Sequence, residues 1–130
     1  MVDDRHARLQ TLARRARSER AAFDPPARPP DEHRARSYLR DGLGPALAIY
    51  IESRTDETQP PLSPDEHSTL ETTINDWLGL YARCYETRIE AVIPARTAAT
   101  ALIETGSLLD TAQLLTHVPQ RTDDRGSTNG

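Results

Sequence analysis

Cys84, four histidines and a few carboxylates are the residues in this chain whose types could do chemistry. A cysteine nucleophile needs access and a nearby base or cation to hold its thiolate. Cys84 falls instead at helical spacing between Tyr81 and Tyr85, apolar company that predicts a buried, inert thiol. His6, His33, His67 and His117 are far apart, and Cys84 has no second cysteine, so the sequence lacks the local ligand spacing of a zinc site. His67 belongs to the first turn of a helix, where an exposed imidazole is expected. Glu71, Asp76 and Glu86 are carboxylates of a helix surface, with no glycine-rich loop or cofactor motif beside them. The chain is therefore expected not to be an enzyme, with no catalytic, cofactor-binding or metal-binding residue and no cofactor.

Nucleic-acid recognition is the other chemistry to weigh. Two short helices joined by Thr105-Gly106-Ser107 look like a helix-turn-helix. A recognition helix should offer basic or amide side chains to the major groove. The segment from Leu108 to His117 has no arginine and carries Asp110, so a plain helical hairpin is the better account. In the first helical segment Arg8 and Arg15 fall on one flank, Arg14 and Arg17 on the other, while Arg5 and Arg20 intrude on the apolar face. They frame a buried stripe without forming one basic surface, and no aromatics interleave for base stacking.

The elements that must position these residues read as helices. From about Asp3 to Phe23, the residues His6, Leu9, Leu12, Ala13, Ala16 and Phe23 recur at helical spacing on one face. Asp24-Pro25-Pro26 and Pro29-Pro30 end that helix, because proline lacks the N–H and restricts its predecessor. A second helix starts near Asp31 and keeps its apolar phase to about Ser53 through Gly42, Gly44 and Pro45, so it is read as one kinked helix. A polar loop from Arg54 leads to Ser63-Pro64-Asp65-Glu66, a serine cap followed by proline and acids that opens a third helix. This helix holds Leu70, Ile74, the only tryptophan (Trp77), Leu78 and Tyr81, and is read as the centre of the core.

Arg88 to Ile93 is read as extended loop, since a lone strand has no partner. Pro94 opens a fourth helix with Ala95, Ala98, Ala99, Leu102 and Ile103 along one side. Gly106 suits a left-handed helix end, and Ser107 caps a fifth helix with Leu108, Ala112, Leu115 and Val118 inward. Pro119 stops it.

Composition sets the outer limits. The chain has 130 residues, enough for one domain, with 36% apolar and 5% aromatic residues, so one modest core is expected. No apolar run approaches the roughly 18 residues that span a bilayer. The acidic opening Met1-Val2-Asp3-Asp4-Arg5 leads into no apolar signal core, and with one cysteine a reduced, cytoplasmic protein is expected. All 16 basic residues are arginine, against 20 acids. Lysine-free, acid-rich composition accords with salt-loving archaea, and GC-rich bacterial genomes also replace lysine with arginine. Residues 1–40 carry ten arginines and six acids, whereas residues 41–130 carry six and fourteen. That asymmetry favours a basic N-terminal part lying against the acidic remainder of its own chain, since the net charge of −4 repels phosphate.

The segments from Asn75 to Tyr85 and from Asp110 to Pro119, with the lysine-free composition, resemble small uncharacterised haloarchaeal proteins, over about residues 1–121. The resemblance implies no function and no site residue. The expected fold is all-α: one domain over residues 1–119, a compact bundle of four to five helices with a C-terminal helical hairpin, then a disordered tail over 120–130. The expected function is helical protein–protein interaction or self-association, with a protein partner or a second copy, no membrane and no nucleic acid. The alternative is a helix-turn-helix-like DNA-associated regulator.

The charge distribution predicts stability that rises with salt. Screening relieves repulsion within the acidic region, with a Debye length of roughly 10 Å at 0.1 M and 3 Å at 1 M. It also weakens attraction between the two parts, but the acidic region carries the larger imbalance, so repulsion should win. Circular dichroism of unfolding across a salt series measures this. Equal stability at low and high salt would count against adaptation to salt.

Overall fold

A computed structural model of the chain describes residues 4–89 and 91–118. These residues form helices α1 (Asp4–Ala21), α2 (Glu32–Tyr38), α3 (Gly44–Thr55), α4 (Pro64–Arg83), α5 (Ala95–Thr105) and α6 (Leu108–Thr116). One π-helical turn, Leu39–Leu43, joins α2 to α3. No strand occurs among the described residues, and Arg88–Ile93, where described, is irregular. The expected bundle of helices with a C-terminal hairpin is therefore the fold. The expected tail over 120–130 and the stop at Pro119 lie outside the described residues.

Local chemistry explains most helix ends. The Ser63 hydroxyl accepts from the Glu66 N–H at 3.1 Å, and the Glu66 carboxylate accepts from the Ser63 N–H at 3.0 Å, a reciprocal cap opening α4. Asp31 caps α2 by accepting from the Arg34 N–H, and Ser107 caps α6 by accepting from the Asp110 N–H. Gly106, with φ 71°, closes α5 in the left-handed conformation that glycine adopts without steric cost.

Helix α4 is the axis of the molecule, packing against α1, α2, α3, α5 and α6 and the π turn. Its Leu70, Ile74, Trp77, Leu78 and Tyr81 are buried, as its apolar face predicts. Trp77, only 2% exposed, meets Tyr38 with ring centroids 5.9 Å apart. On another side the indole lies against the backbone of Gly42, where a Cβ would overlap the carbons Cδ2, Cε2 and Cε3 of the ring. Gly42 is thus the residue that lets the π turn reach the tryptophan.

That contact also resolves the interruption in the second helix. The path is continuous from Glu32 to Thr55, as one interrupted helix, and the interruption is a π turn in which the Gly44 N–H donates to the Leu39 carbonyl. Pro45 cannot donate, so a widened turn ahead of it leaves fewer helical bonds to break. Gly44 is crowded as well, since a Cβ there would sit 2.9 Å from Cδ1 of Leu108.

Two helix faces differ from expectation. On α1 the buried stripe is Arg5, Leu9, Leu12, Ala13 and Ala16, and His6 is exposed. The spacing from Arg5 through Leu9 and Leu12 to Ala16 is the helical repeat, and the terminal nitrogens of the buried guanidinium meet the Pro60 carbonyl and Glu66. On α5, Ala95, Ala98, Ala99 and Ala101 are buried, Leu102 is half-buried and Ile103 is exposed. Alanines suffice inward because α3 and α6 approach closely, which turns Ile103 outward.

Two glycine substitutions and one truncation test this centre. Trp77→Ala should cost about 3–5 kcal/mol through the cavity it leaves. Gly42→Ala should cost about 1–3 kcal/mol by overpacking, although alanine is intrinsically the better helix former. Gly79→Ala, where a Cβ meets nothing within 4 Å, should raise stability by about 0.5–1 kcal/mol. Denaturant unfolding of the three variants measures these values. A neutral Gly42→Ala would mean that the indole does not rest on that backbone.

Candidate functional site

The residues with chemical potential lie apart from one another in the fold. Cys84 is fully buried, and burial pushes its thiol up to about 11 although Arg34 pulls the other way. His6 meets Glu66 at 3.4 Å, and His67 lies 3.8 Å from Glu71 and beside the Tyr50 ring. His117 adopts the left-handed conformation (φ 58°) at the end of α6. Among the described residues no three histidine, cysteine, aspartate or glutamate side chains gather as a metal would require. The Glu71 carboxylate accepts from the Ala95 N–H at 2.8 Å and so caps α5 from another helix, where Pro94 has no side chain able to do it. Asp76 pairs with Arg20 at 3.0 Å.

Asn75 has a role that apolar spacing does not reveal. Its side chain donates to the Ile93 carbonyl and accepts from the Ile93 N–H, both at 2.8 Å, so one amide pins the irregular segment to α4. An asparagine inside an otherwise good helix was the available signal, because that residue competes with the helix for backbone partners.

Three of the N-terminal arginines, Arg5, Arg8 and Arg20, lie against the acidic remainder, as the charge asymmetry predicts. Arg5 is buried; it donates to the Pro60 carbonyl at 2.8 Å and approaches Glu66 at 3.5 Å. Arg8 reaches Glu52 at 3.2 Å, and Arg20 reaches Asp76. Helices α5 and α6 form the expected hairpin, and the outward residues of α6 are Asp110 and Leu114.

Among the described residues, Ile103 and Leu114 of the hairpin and Val92 before it are the exposed large apolar ones, at 69%, 54% and 75%. Ile103 borders a groove of about 140 Å³ between α3 and α5, with Tyr50, Ile51 and Ala99 as its apolar walls and Arg54 and Arg96 at its edges. The Arg54 guanidinium lies 5.8 Å from the centroid of the Tyr50 ring. Small residues on α5, Ala99 and Thr100, leave this space. An apolar side chain flanked by acids would complement the groove in shape and charge.

Fold and surface together define a small helical bundle with a terminal hairpin and an apolar groove between two helices. The chain belongs to the family described as Domain of unknown function (DUF8055), whose model matches residues 3–120. No curated protein and no solved structure matches it. The match is to an uncharacterised domain, as the resemblance implied. No helix among the described residues is long and apolar enough to cross a membrane.

Burial makes the stability of the fold sensitive to alkali. Desolvation raises the thiol of Cys84 and the phenols of Tyr38, Tyr81 and Tyr85 above their ordinary values. The unfolded chain therefore releases these protons first as pH rises. The contribution of these groups should be constant from neutral pH to the ordinary thiol value of 9.0, then fall as pH passes through about 11. Cys84→Ala should remove the early part of that fall and leave the tyrosine part. Urea unfolding between neutral and strongly alkaline pH measures the slope, and a flat profile would show that these groups are hydrated in the fold.

Proposed function

We propose that this protein is a non-catalytic interaction module that docks protein surfaces through the α3–α5 groove, in the first instance on a second copy of itself. The observation that carries the reading is Ile103, exposed on α5 at the border of that groove. A large apolar side chain left in water gains about 1.5–3 kcal/mol on full burial. The next residue, Glu104, is exposed and acidic, so one copy offers both the apolar side chain with its acid and the groove with its arginines. A two-fold pairing uses such a patch twice.

The non-catalytic part of the reading is supported by Cys84, whose buried thiol no substrate reaches, and by carboxylates engaged in capping and pairing. The hairpin is a weak DNA reader because Asp110 and Leu114 occupy the outward face of α6, where phosphate-binding residues would be needed. A reduced, cytoplasmic setting accords with the free Cys84. Work at high salt, and an origin among salt-loving archaea, accord with the lysine-free, acid-rich charge set.

Sedimentation equilibrium of the full chain over a wide concentration range tests the reading. A reversible dimer is expected, and Ile103→Asp should shift it to monomer, with a thermal midpoint close to that of the native chain at dilutions where both are monomeric, since the side chain is exposed in the single chain. A strict monomer throughout, or a dimer indifferent to Ile103→Asp, would remove self-association through this groove.

A further inference from the structure

A second recess has a different character. It lies where α4 meets the irregular segment before α5, holds about 370 Å³, and is bordered by Arg20, Asp76, Gly79, Arg83, Arg88 and Val92. In a chain with four more acids than bases, three arginines and one aspartate meet at this place. Asp76 is engaged by Arg20 at 3.0 Å. Arg83 rests its guanidinium 4.4 Å from the centroid of the Phe23 ring. Among the described residues neither Arg83 nor Arg88 has a carboxylate partner, so the charge of the described lining is positive.

Gly79 is an independent observation at the same place. It stands in the interior of α4, where glycine is less favourable than alanine. Its φ is not in the left-handed region, and a Cβ there would meet nothing within 4 Å. Neither backbone geometry nor packing calls for glycine, in contrast to Gly42 against Trp77. What the missing side chain leaves is an open recess beside three arginines. Leu80 and Ile89 add apolar lining, and the exposed Val92 stands at its border. Burial raises the Asp76 carboxyl despite Arg20 and Arg17.

We propose that this cleft binds a small organic oxyanion, a carboxylate or phosphate carried on an apolar body. Arg83 and Arg88 take the anionic group, and Ile89 and Val92 cover the apolar part. The volume lies in the range of small-molecule sites, roughly 300–1,000 Å³, and guanidinium forks match planar carboxylate and phosphate oxygens.

Amide-resolved NMR titration of the full chain at low ionic strength is the test, with benzoate, phenyl phosphate, inorganic phosphate and benzylammonium as probes. Benzoate or phenyl phosphate should give saturable shifts centred on Gly79, Ala91 and Val92, with inorganic phosphate weaker and benzylammonium inert. Arg88→Gln should weaken binding by about fivefold, a modest loss because a charge at an open cleft is partly screened. Gly79→Leu should abolish binding by filling the recess, while Gly79→Ala, a smaller change, should retain most of it; circular dichroism verifies that both fold. The proposal fails if none of the anions gives saturable shifts in the native sequence. It also fails if benzylammonium binds as well as benzoate, or if a folded Gly79→Leu binds undiminished. None of these results depends on whether Ile103 mediates self-association.

Discussion

The contact between the Trp77 indole and the bare backbone of Gly42 is the constraint on which the centre of this protein depends. A bulky ring placed against a helix needs the facing residue to have no side chain. Once Gly42 provides that, the π turn from Leu39 to Leu43 packs against α4, and Leu39 and Leu43 are buried beside it. The same turn accommodates Pro45, which cannot donate a helical hydrogen bond. Leu108 at the start of α6 then packs against Gly44, so the placement of the C-terminal hairpin follows from the shape of that turn. A chain with few aromatics centres its core on its one tryptophan, because the ring buries more apolar surface than any other side chain it has.

Polar side chains acting between elements do what a larger core would otherwise do. Glu71 and Asn75, one helical turn apart on α4, hold the N–H of Ala95 and both backbone groups of Ile93. The segment before α5 is thereby fastened without a strand or a disulfide. Arg5 fastens the loop before α4 through the Pro60 carbonyl and approaches Glu66 of its cap. Hydrogen bonds to charged groups are worth about 1.5–3 kcal/mol when buried, so these few anchors weigh heavily in a domain with a modest apolar fraction.

The α3–α5 groove and the cleft beside α4 each arise where a helix carries small residues. Ala99 and Thr100 on α5 leave the apolar groove beside Ile103, and Gly79 on α4 leaves the cleft among arginines. Their chemistries diverge with the company each keeps. Tyr50 and Ile51 make the first suited to an apolar side chain. Arg20, Arg83 and Arg88 make the second positive within an acidic protein.

The sequence by itself determined the helices, most of their ends, the central place of Trp77 and the burial of Cys84. Those features rest on local rules: apolar spacing, serine and aspartate caps, proline and a left-handed glycine act within a few residues of chain. The pairing of a basic N-terminal part with acidic partners was legible too, because charge asymmetry is visible in composition. Only the tertiary structure decided that Arg5 is buried while His6 faces solvent, because that choice depends on Pro60 and Glu66, far along the chain. It also decided that Ile103 faces outward, since closely packed neighbours let alanines occupy the inner face of α5. The two glycines of opposite meaning, Gly42 under an indole and Gly79 under open space, are identical letters in a sequence. What distinguishes them is the distance from each backbone to residues on other elements, which no local pattern encodes.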